Sequence, residues 1–238
     1  IINLVVSDIP GGDLSLVGSG PTFVPAKKRI ITSNLDFGSK INKFFSENKK
    51  ILIQRGDQNA IVLKSVCIGS SAILLDSVRD YIEKKYEFNL LLLSSEFEGD
   101  ASSLANFHAS ILKEIKRFDR PIKKPAIIVS SGEAYVKLPK NHGRGGRNSH
   151  FALALAKEIE EVSGITALAA DTDGIDGFEK NAGAIISGDT FKLLKKRAPQ
   201  NDFLKAFDSF SAHKIASSLF YSGATGINLN DIRIVIVR

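Results

Sequence analysis

Hydrophobic and polar positions follow two periods along this chain, and the periods predict strands and helices in turn. Short apolar runs predict strands at 2–7, 61–68, 88–93, 126–129, 134–138, 165–170 and 232–237. Apolar residues spaced three or four positions apart predict helices at 36–47, 71–86, 101–118, 149–159, 190–197 and 203–218. This order predicts an α/β fold of two domains, in which mostly parallel sheets are covered by helices.

The segment Asp119–Pro125 interrupts this pattern with two prolines and a group of basic residues. Such a composition is typical of a domain boundary or of an exposed connection. We therefore expect the chain to divide into residues 1–120 and residues 121–238.

Composition narrows the classes of protein to consider. Hydrophobic residues make up 43% and charged residues 24% of the chain, the balance of a globular protein, and its apolar runs are too short to cross a bilayer. A lone cysteine, Cys67, excludes an internal disulfide and favours a reducing, cytoplasmic location. The net charge of +6 is scattered, which disfavours a nucleic-acid surface and suits a small anionic substrate.

The first residues of the sequence bear on its extent. The chain contains no methionine, and residue 1 already lies in a strand-like run. We therefore expect the sequence to be part of a longer protein.

The loop Gly143–Asn148 reads G-R-G-G-R-N and leads into a helix-forming run. Its glycines let the backbone turn tightly, and Arg144 and Arg147 carry planar guanidinium groups that suit carboxylate or phosphate oxygens. A helix that begins here would add free N–H groups and the positive end of its dipole. The loop indicates either an anion site or a basic surface turn.

Two acidic stretches also follow predicted strands. Asp8 ends the first strand before two glycine-rich loops, a position where α/β sheets bind ligands or where a carboxylate caps a turn. Asp171, Asp173 and Asp176 alternate with glycines in a pattern that is typical of a hard-cation site. Their spacing does not fit an EF-hand, and the alternative is a polar exit from the strand.

Two familiar nucleotide motifs are absent. The stretch 183–190 approaches a P-loop, but Asp189 stands in place of its lysine, so we expect Asp189 or Thr190 to cap a helix. Asn148 stands where a dinucleotide fingerprint beginning at Gly143 would need its third glycine.

Six stretches, taken together and in order, resemble the glycerate 2-kinases of the MOFRL type. They are L-V-V-S-D-I-P-G-G-D (4–13), G-S-G-P-T (18–22), G-R-G-G-R-N (143–148), D-T-D-G-I-D-G (171–177), N-A-G-A-I (181–185) and T-G-I-N-L-N-D (225–231). They span nearly the whole chain.

The resemblance implies two α/β domains with an active site in the cleft between them, where ATP and Mg²⁺ serve to phosphorylate D-glycerate to 2-phosphoglycerate. It implies glycerate and nucleotide as ligands, neither nucleic acid nor membrane as partner, and leaves a homodimer open. The implied catalytic residues are Asp8 and Arg147, and the metal candidates are Asp171, Asp173 and Asp176. The implied substrate- or nucleotide-binding residues are Ser19, Gly20, Thr22, Gly132, Glu133, Arg144, Gly145, Gly146 and Asn148.

Two other functions stay open. Members of the family have carried the label hydroxypyruvate reductase, but an NAD(P)H-dependent enzyme would need a nicotinamide site, and the chain shows no fingerprint for one. The family's catalytic lysine lies in an N-terminal segment that has no counterpart here, so the chain resembles the family's C-terminal part. This motivates the alternative of a fragment or paralogue that binds anions without turnover.

Overall fold

The computed structural model describes residues 2–9, 14, 17, 36, 38–47 and 64–238. The chain divides into two compact units, one formed by 1–5 with 13–67 and the other by 6–12 with 68–238. Three elements begin in the first unit: β1 (Ile2–Val6), α1 (Ser39–Glu47) and β2 (Lys64–Gly69), with β1 and β2 paired in a two-stranded sheet.

The second unit is built on a six-stranded sheet with the order β3-β4-β8-β5-β6-β7. Its strands are β3 (Asn89–Asp100), β4 (Ala126–Tyr135), β5 (Ile165–Asp171), β6 (Gly183–Ser187), β7 (Leu219–Phe220) and β8 (Asp231–Val237). Its helices are α2 (Ser71–Lys85), α3 (Ala101–Phe118), α4 (Arg147–Glu158), α5 (Thr190–Arg197) and α6 (Ser209–Ala216). No helix in the described ranges is long and apolar enough to cross a membrane.

The α/β class is confirmed, but the expectation of a mostly parallel sheet is wrong for this unit. Only β3 and β4 pair in parallel, whereas β8 runs antiparallel to both β4 and β5, and β6 runs antiparallel to β5 and β7. Two of these antiparallel pairings arise because β8 inserts between β4 and β5, and the other two involve β6. A local pattern of strands and helices carries no signal for that long-range pairing.

Helices cover both faces of the sheet around β4. Ile128 packs into the larger core, which α3 and α4 share with one face. Ile127 and Val129 point the other way, into a core with Leu75 and Ile82 of α2. Burial on both faces explains why residues 126–129 are a continuous apolar run rather than an alternating one.

The segment Asp119–Pro125 is an exposed connection inside one unit. It joins the end of α3 to β4, and the strands on either side of it, β3 and β4, are hydrogen-bonded neighbours. The assignment of residues 1–120 and 121–238 to two domains of the family stays a prediction.

One local prediction was also wrong. The stretch predicted as one helix at 203–218 is helical only in α6, where Asp208 accepts a hydrogen bond from the Ser211 amide at the start of the helix. The expectation that Asp189 or Thr190 caps a helix is confirmed, because α5 begins directly after Asp189, which occupies its N-cap position.

Gly132, a predicted ligand residue, has a structural reason to be glycine. Its φ is +116°, and a Cβ added there would collide with the backbone of Phe97, its partner in β3. We expect Gly132→Ala to lower the free energy of unfolding by about 3 kcal/mol, which thermal or chemical denaturation would measure.

Gly226→Ala is the matched control for this prediction. Gly226 also has a positive φ, +78°, but no atom of the described residues lies within 4 Å of the added Cβ. Its replacement should cost only the conformational term of about 1 kcal/mol. Equal losses in the two variants would contradict the collision as the cause.

Candidate active site

The glycine loop turns into α4, with Gly146 at the N-cap position and Arg147 as the first helical residue. The glycines permit close approach, but the approaching groups belong to the chain itself. A Cβ on Gly145, whose φ is +139°, would collide with the hydroxyl of Ser209, and one on Gly146 would collide with the carboxylate of Asp176. The loop is therefore compact because α6 and the 171–177 loop press against it.

The predicted anion site at the start of α4 exists, and the carboxylate of Asp176 fills it. Asp176 is completely buried and accepts hydrogen bonds from the backbone amides of Asn148 (2.9 Å) and Ser149 (2.8 Å) and from the Ser149 hydroxyl. These are free donors of the first helical turn. Asp176 was a metal candidate; its oxygens instead cap α4, which explains the residue without a metal.

Arg147 is bound by three carboxylates. Its Nε donates to Asp231 (2.8 Å), its Nη2 to Asp171 (2.8 Å) and its Nη1 to Glu133 (2.7 Å). Burial lowers the pKa of Arg147, but the three carboxylates outweigh burial and hold that pKa above its ordinary value. The side chain is 24% exposed, so one edge of it still meets solvent.

The three partners of Arg147 differ in burial. The side chain of Asp231 is 0% exposed, that of Asp171 is 7% exposed and that of Glu133 is 50% exposed. An exposed ion pair contributes about 0 to 1 kcal/mol, whereas a buried carboxylate that loses its partner is strongly destabilised. Glu133 is therefore the partner that Arg147 can exchange most easily.

Asp171 carries the clearest electrostatic perturbation at the site. Burial raises its pKa to about 7 and outweighs the opposing effect of Arg147. Asp173, two residues on, donates its amide to Asp171 (3.2 Å) and accepts the Ile175 amide (2.7 Å), so the acidic loop is partly ordered by its own backbone. Within the described residues no group of three His, Cys, Asp or Glu side chains is arranged to hold a metal ion.

Arg144 has a different environment from Arg147. Its Nε and Nη2 donate to the two carboxylate oxygens of Glu179, each at 2.7 Å, and its guanidinium lies over the ring of Phe210 at 4.5 Å. The side chain is 63% exposed. Both arginines of the loop are therefore already paired with carboxylates of the chain.

A cavity of about 890 Å³ opens beside Arg147. Its charged lining is mainly acidic: Glu98, Glu133, Asp171, Asp173 and Glu179 against Arg144 and Arg147. Apolar side chains that are also exposed, Tyr135, Leu138, Ile175 and Phe178, complete its wall. The predicted anion cradle is thus a cavity with an excess of negative charge.

The remaining predicted site residues lie in different environments or outside the described residues. Asn148 is buried, and its Nδ2 donates to Asp231 (2.7 Å), so it supports the site from inside. Asp8 is exposed, and its backbone carbonyl accepts from Asn230 Nδ2 (2.7 Å), the residue that precedes Asp231. The catalytic role of its carboxylate stays a prediction. Ser19, Gly20 and Thr22 lie outside the described residues.

Sequence reasoning missed Asp231 and its neighbour Arg233 as parts of the site. Asp231 is the last residue of the motif T-G-I-N-L-N-D and the first residue of β8. Arg233 donates a hydrogen bond to Asp231 through Nη2 (2.8 Å). A carboxylate and a guanidinium two positions apart point to the same side of a strand, here a buried one. That pair of charges in an apolar run was the available signal.

Comparison with known proteins shows what the chain is similar to. Residues 126–231 match the model of the MOFRL family. This segment of the chain is therefore similar to the MOFRL family. Over its full length it is 32% identical to the D-glycerate 2-kinase of Thermotoga maritima and to an Agrobacterium vitis protein that carries a hydroxypyruvate reductase label. The chain spans only about half of those relatives, 56% and 55% of their lengths.

The crystal structure of a glycerate kinase from T. maritima matches the fold with a TM-score of 0.81 at 31% identity, over 100% of this chain and 57% of that one. The MOFRL segment runs from the start of β4 to the start of β8. Arg147 and its partners Glu133, Asp171 and Asp231 therefore all lie inside the segment that matches the family model.

The raised pKa of Asp171 predicts a pH dependence of stability. Because its folded pKa, about 7, exceeds the ordinary value near 4, the folded protein keeps a proton that the unfolded chain releases. The contribution of this group is fully present below about pH 4 and is lost as the pH rises through about 7.

We expect Asp171→Asn to reduce the loss of unfolding free energy between about pH 5 and pH 8 by on the order of 2 kcal/mol. Denaturant unfolding of both proteins at several pH values would measure the difference in slope. Parallel pH dependences would show that Asp171 titrates near its ordinary pKa.

Proposed function

We propose that this protein phosphorylates D-glycerate to 2-phosphoglycerate with ATP. The observation that carries the proposal is the placement of Arg147, which lines a cavity of about 890 Å³ at the first residue of α4, inside the MOFRL segment. The names of the T. maritima relatives support the choice of substrate. A lone thiol, Cys67, supports a cytoplasmic location.

We assign to Arg147 the binding of an anionic group of glycerate or ATP. A guanidinium has five N–H donors, and Asp231, Asp171 and Glu133 engage three of them, which leaves two without a partner among the residues that the structure describes. Glycerate contributes a carboxylate and ATP contributes phosphates, and either can accept from the remaining donors. Glu133 can also yield its place, because its side chain is half exposed.

The charge of the cavity supports a metal ion as part of the bound nucleotide. Five carboxylates against two arginines would repel ATP and glycerate together unless a cation accompanies them. Mg²⁺ takes one or two protein carboxylates and completes its shell with phosphate oxygens and water. Asp173, which lines the cavity, fits such a partial donor set, and Asp171 fits only if it leaves Arg147.

The chain's own groups then supply positioning and electrostatic stabilisation, which is most of what phosphoryl transfer requires. Arg147 orients an anionic oxygen and offsets charge that develops on it. Bound Mg²⁺ would neutralise phosphate charge. Asp8 is assigned to orient the reacting hydroxyl or to accept its proton, and the hydrogen bond from Asn230 to its carbonyl ties its backbone to the strand that carries Asp231.

A second candidate function is that of an NAD(P)H-dependent hydroxypyruvate reductase, because the A. vitis relative carries that label. The two functions give different signals in a simple assay. We expect glycerate-dependent release of ADP that requires Mg²⁺, and no glycerate- or hydroxypyruvate-dependent change at the NADH absorbance band. NADH oxidation with hydroxypyruvate, without ADP release from glycerate, would reverse the assignment.

Arg147→Lys gives the sharpest test of the site. Lysine keeps the charge but lacks the planar fork, so it cannot hold Asp231, Asp171 and an anionic ligand together. We expect turnover to fall about a hundredfold, equivalent to about 3 kcal/mol of lost transition-state stabilisation. Arg147→Ala should cost at least as much.

Arg144→Ala is the control, because Arg144 belongs to the same loop and lines the same cavity but pairs with Glu179 at an exposed position. Its effect on turnover should be several-fold at most. The measurement is glycerate-dependent ADP release beside the melting temperature. Near-normal turnover of a folded Arg147→Ala protein would remove Arg147 from the reaction.

A further inference from the structure

Resting on the proposed function, we propose that Asp231 is a positioning residue that acts through Arg147, with Arg233 as its buried counter-ion. Asp231 does not belong to the lining of the cavity, whereas Arg147 does. Asp231 binds the side chains of Arg147, Asn148 and Arg233, and of these three that of Arg147 lines the cavity, so Arg147 is the side chain through which Asp231 can act on a ligand.

One oxygen of Asp231 fixes the start of α4. Its Oδ1 accepts from Arg147 Nε at 2.8 Å and from Asn148 Nδ2 at 2.7 Å. Holding Nε turns the opposite edge of the guanidinium, with both Nη atoms, toward Asp171, Glu133 and the cavity. The orientation of Arg147 is thus set from its inner side.

The other oxygen of Asp231 is fixed by the sheet. Its Oδ2 accepts from the Ala134 amide at 3.0 Å and from Arg233 Nη2 at 2.8 Å, and the backbone carbonyl of Asp231 accepts from Ser131 Oγ at 2.7 Å. The carboxylate therefore has four donors from β4, β8 and α4 and one rigid orientation. It therefore holds the side chain of Arg147 in a fixed position relative to the sheet.

The ion pair with Asp231 is the interaction that accounts for the burial of Arg233. It is 1% exposed, its guanidinium lies 5.0 Å from the centre of the Phe151 ring, and its Nε and Nη1 have no partner among the described residues. Burial lowers the pKa of Arg233, and the carboxylate of Asp231 opposes that shift. Arg233 is thus a second cation beside Asp231, and together with Arg147 it offsets the negative charge of that buried carboxylate.

The test is a double-mutant cycle on turnover in the intact protein. Asp231→Asn keeps the shape but removes the charge and places an N–H group among donors, so kcat should fall about tenfold. If Asp231 acts through Arg147, Asp231→Asn should cost less than about twofold more in the Arg147→Ala background. A full tenfold loss in that background would overturn the proposal.

Asp176→Asn is the matched control, since Asp176 is the other completely buried carboxylate at the start of α4 but bonds backbone amides and Ser149 instead of Arg147. Whatever it costs should persist in the Arg147→Ala background. If Asp231→Asn does not fold, Arg233→Met replaces it, and it should show a smaller loss with the same non-additivity.

A spectroscopic readout separates this proposal from the proposed function. The Nε–H of Arg147, assigned by its absence in Arg147→Lys, should give a slowly exchanging NMR signal that persists in Asp176→Asn and is lost in Asp231→Asn. Retention of that signal in Asp231→Asn would overturn the positioning role even if the protein proved inactive with glycerate. Absence of glycerate-dependent ADP release would overturn only the proposed function.

Discussion

Two completely buried carboxylates, Asp176 and Asp231, hold the first turn of α4, and the candidate site depends on that arrangement. A buried charge is tolerated only where hydrogen bonds replace the water it has lost. Asp176 meets this condition with backbone amides and a hydroxyl, and Asp231 meets it with two guanidinium groups, an amide side chain and a backbone amide. One carboxylate fixes the helix and the other fixes its first side chain.

This division of roles gives Arg147 a defined position before any ligand arrives. A long side chain at a surface would lose rotational freedom on binding an anion, and that loss weakens the interaction. Here Asp231 and Asp171 already restrict the side chain of Arg147 in the folded protein, so little conformational entropy remains to be lost when an anion binds. The same carboxylates make the wall of the cavity acidic, which couples the binding of an anionic substrate to a cation.

Sequence reasoning located most elements because their signals are local. The apolar runs of β5 and β8 and the periodicity of α2 and α3 depend on neighbouring residues and were predicted with small errors at their ends. By contrast, β3 continues to Asp100 beyond the predicted 88–93, and β4 is one strand where two were predicted, at 126–129 and 134–138. The direction of the sheet was not, because it depends on β8 pairing with strands 60 to 110 residues earlier in the chain. Such pairing is decided by the whole core rather than by a window of sequence.

The site was predicted only in part, because a sequence motif is a local signal whereas the pairing of charges in the site is long-range. The G-R-G-G-R-N loop and the alternating aspartates identified α4's N-terminus and the acidic loop, and the structure brings both to one cavity. The pattern could not tell which charges neutralise each other. It therefore assigned Asp176 to a metal and Arg147 to a free anion site, whereas the folded chain uses Asp176 as a cap and surrounds Arg147 with carboxylates.

The unequal burial of those carboxylates argues that Arg147 is more than a structural ion pair. A purely structural arginine would need no exposed partner, because Asp231 and Asp171 already balance its charge and anchor two of its nitrogens. Glu133 adds little stability at 50% exposure, yet it covers the Nη1 that faces the cavity. An incoming carboxylate or phosphate can replace Glu133 at small cost, but replacing Asp231 would take a charged donor from a completely buried carboxylate. The anion must therefore approach Arg147 from the Glu133 side, with the inner pair left intact.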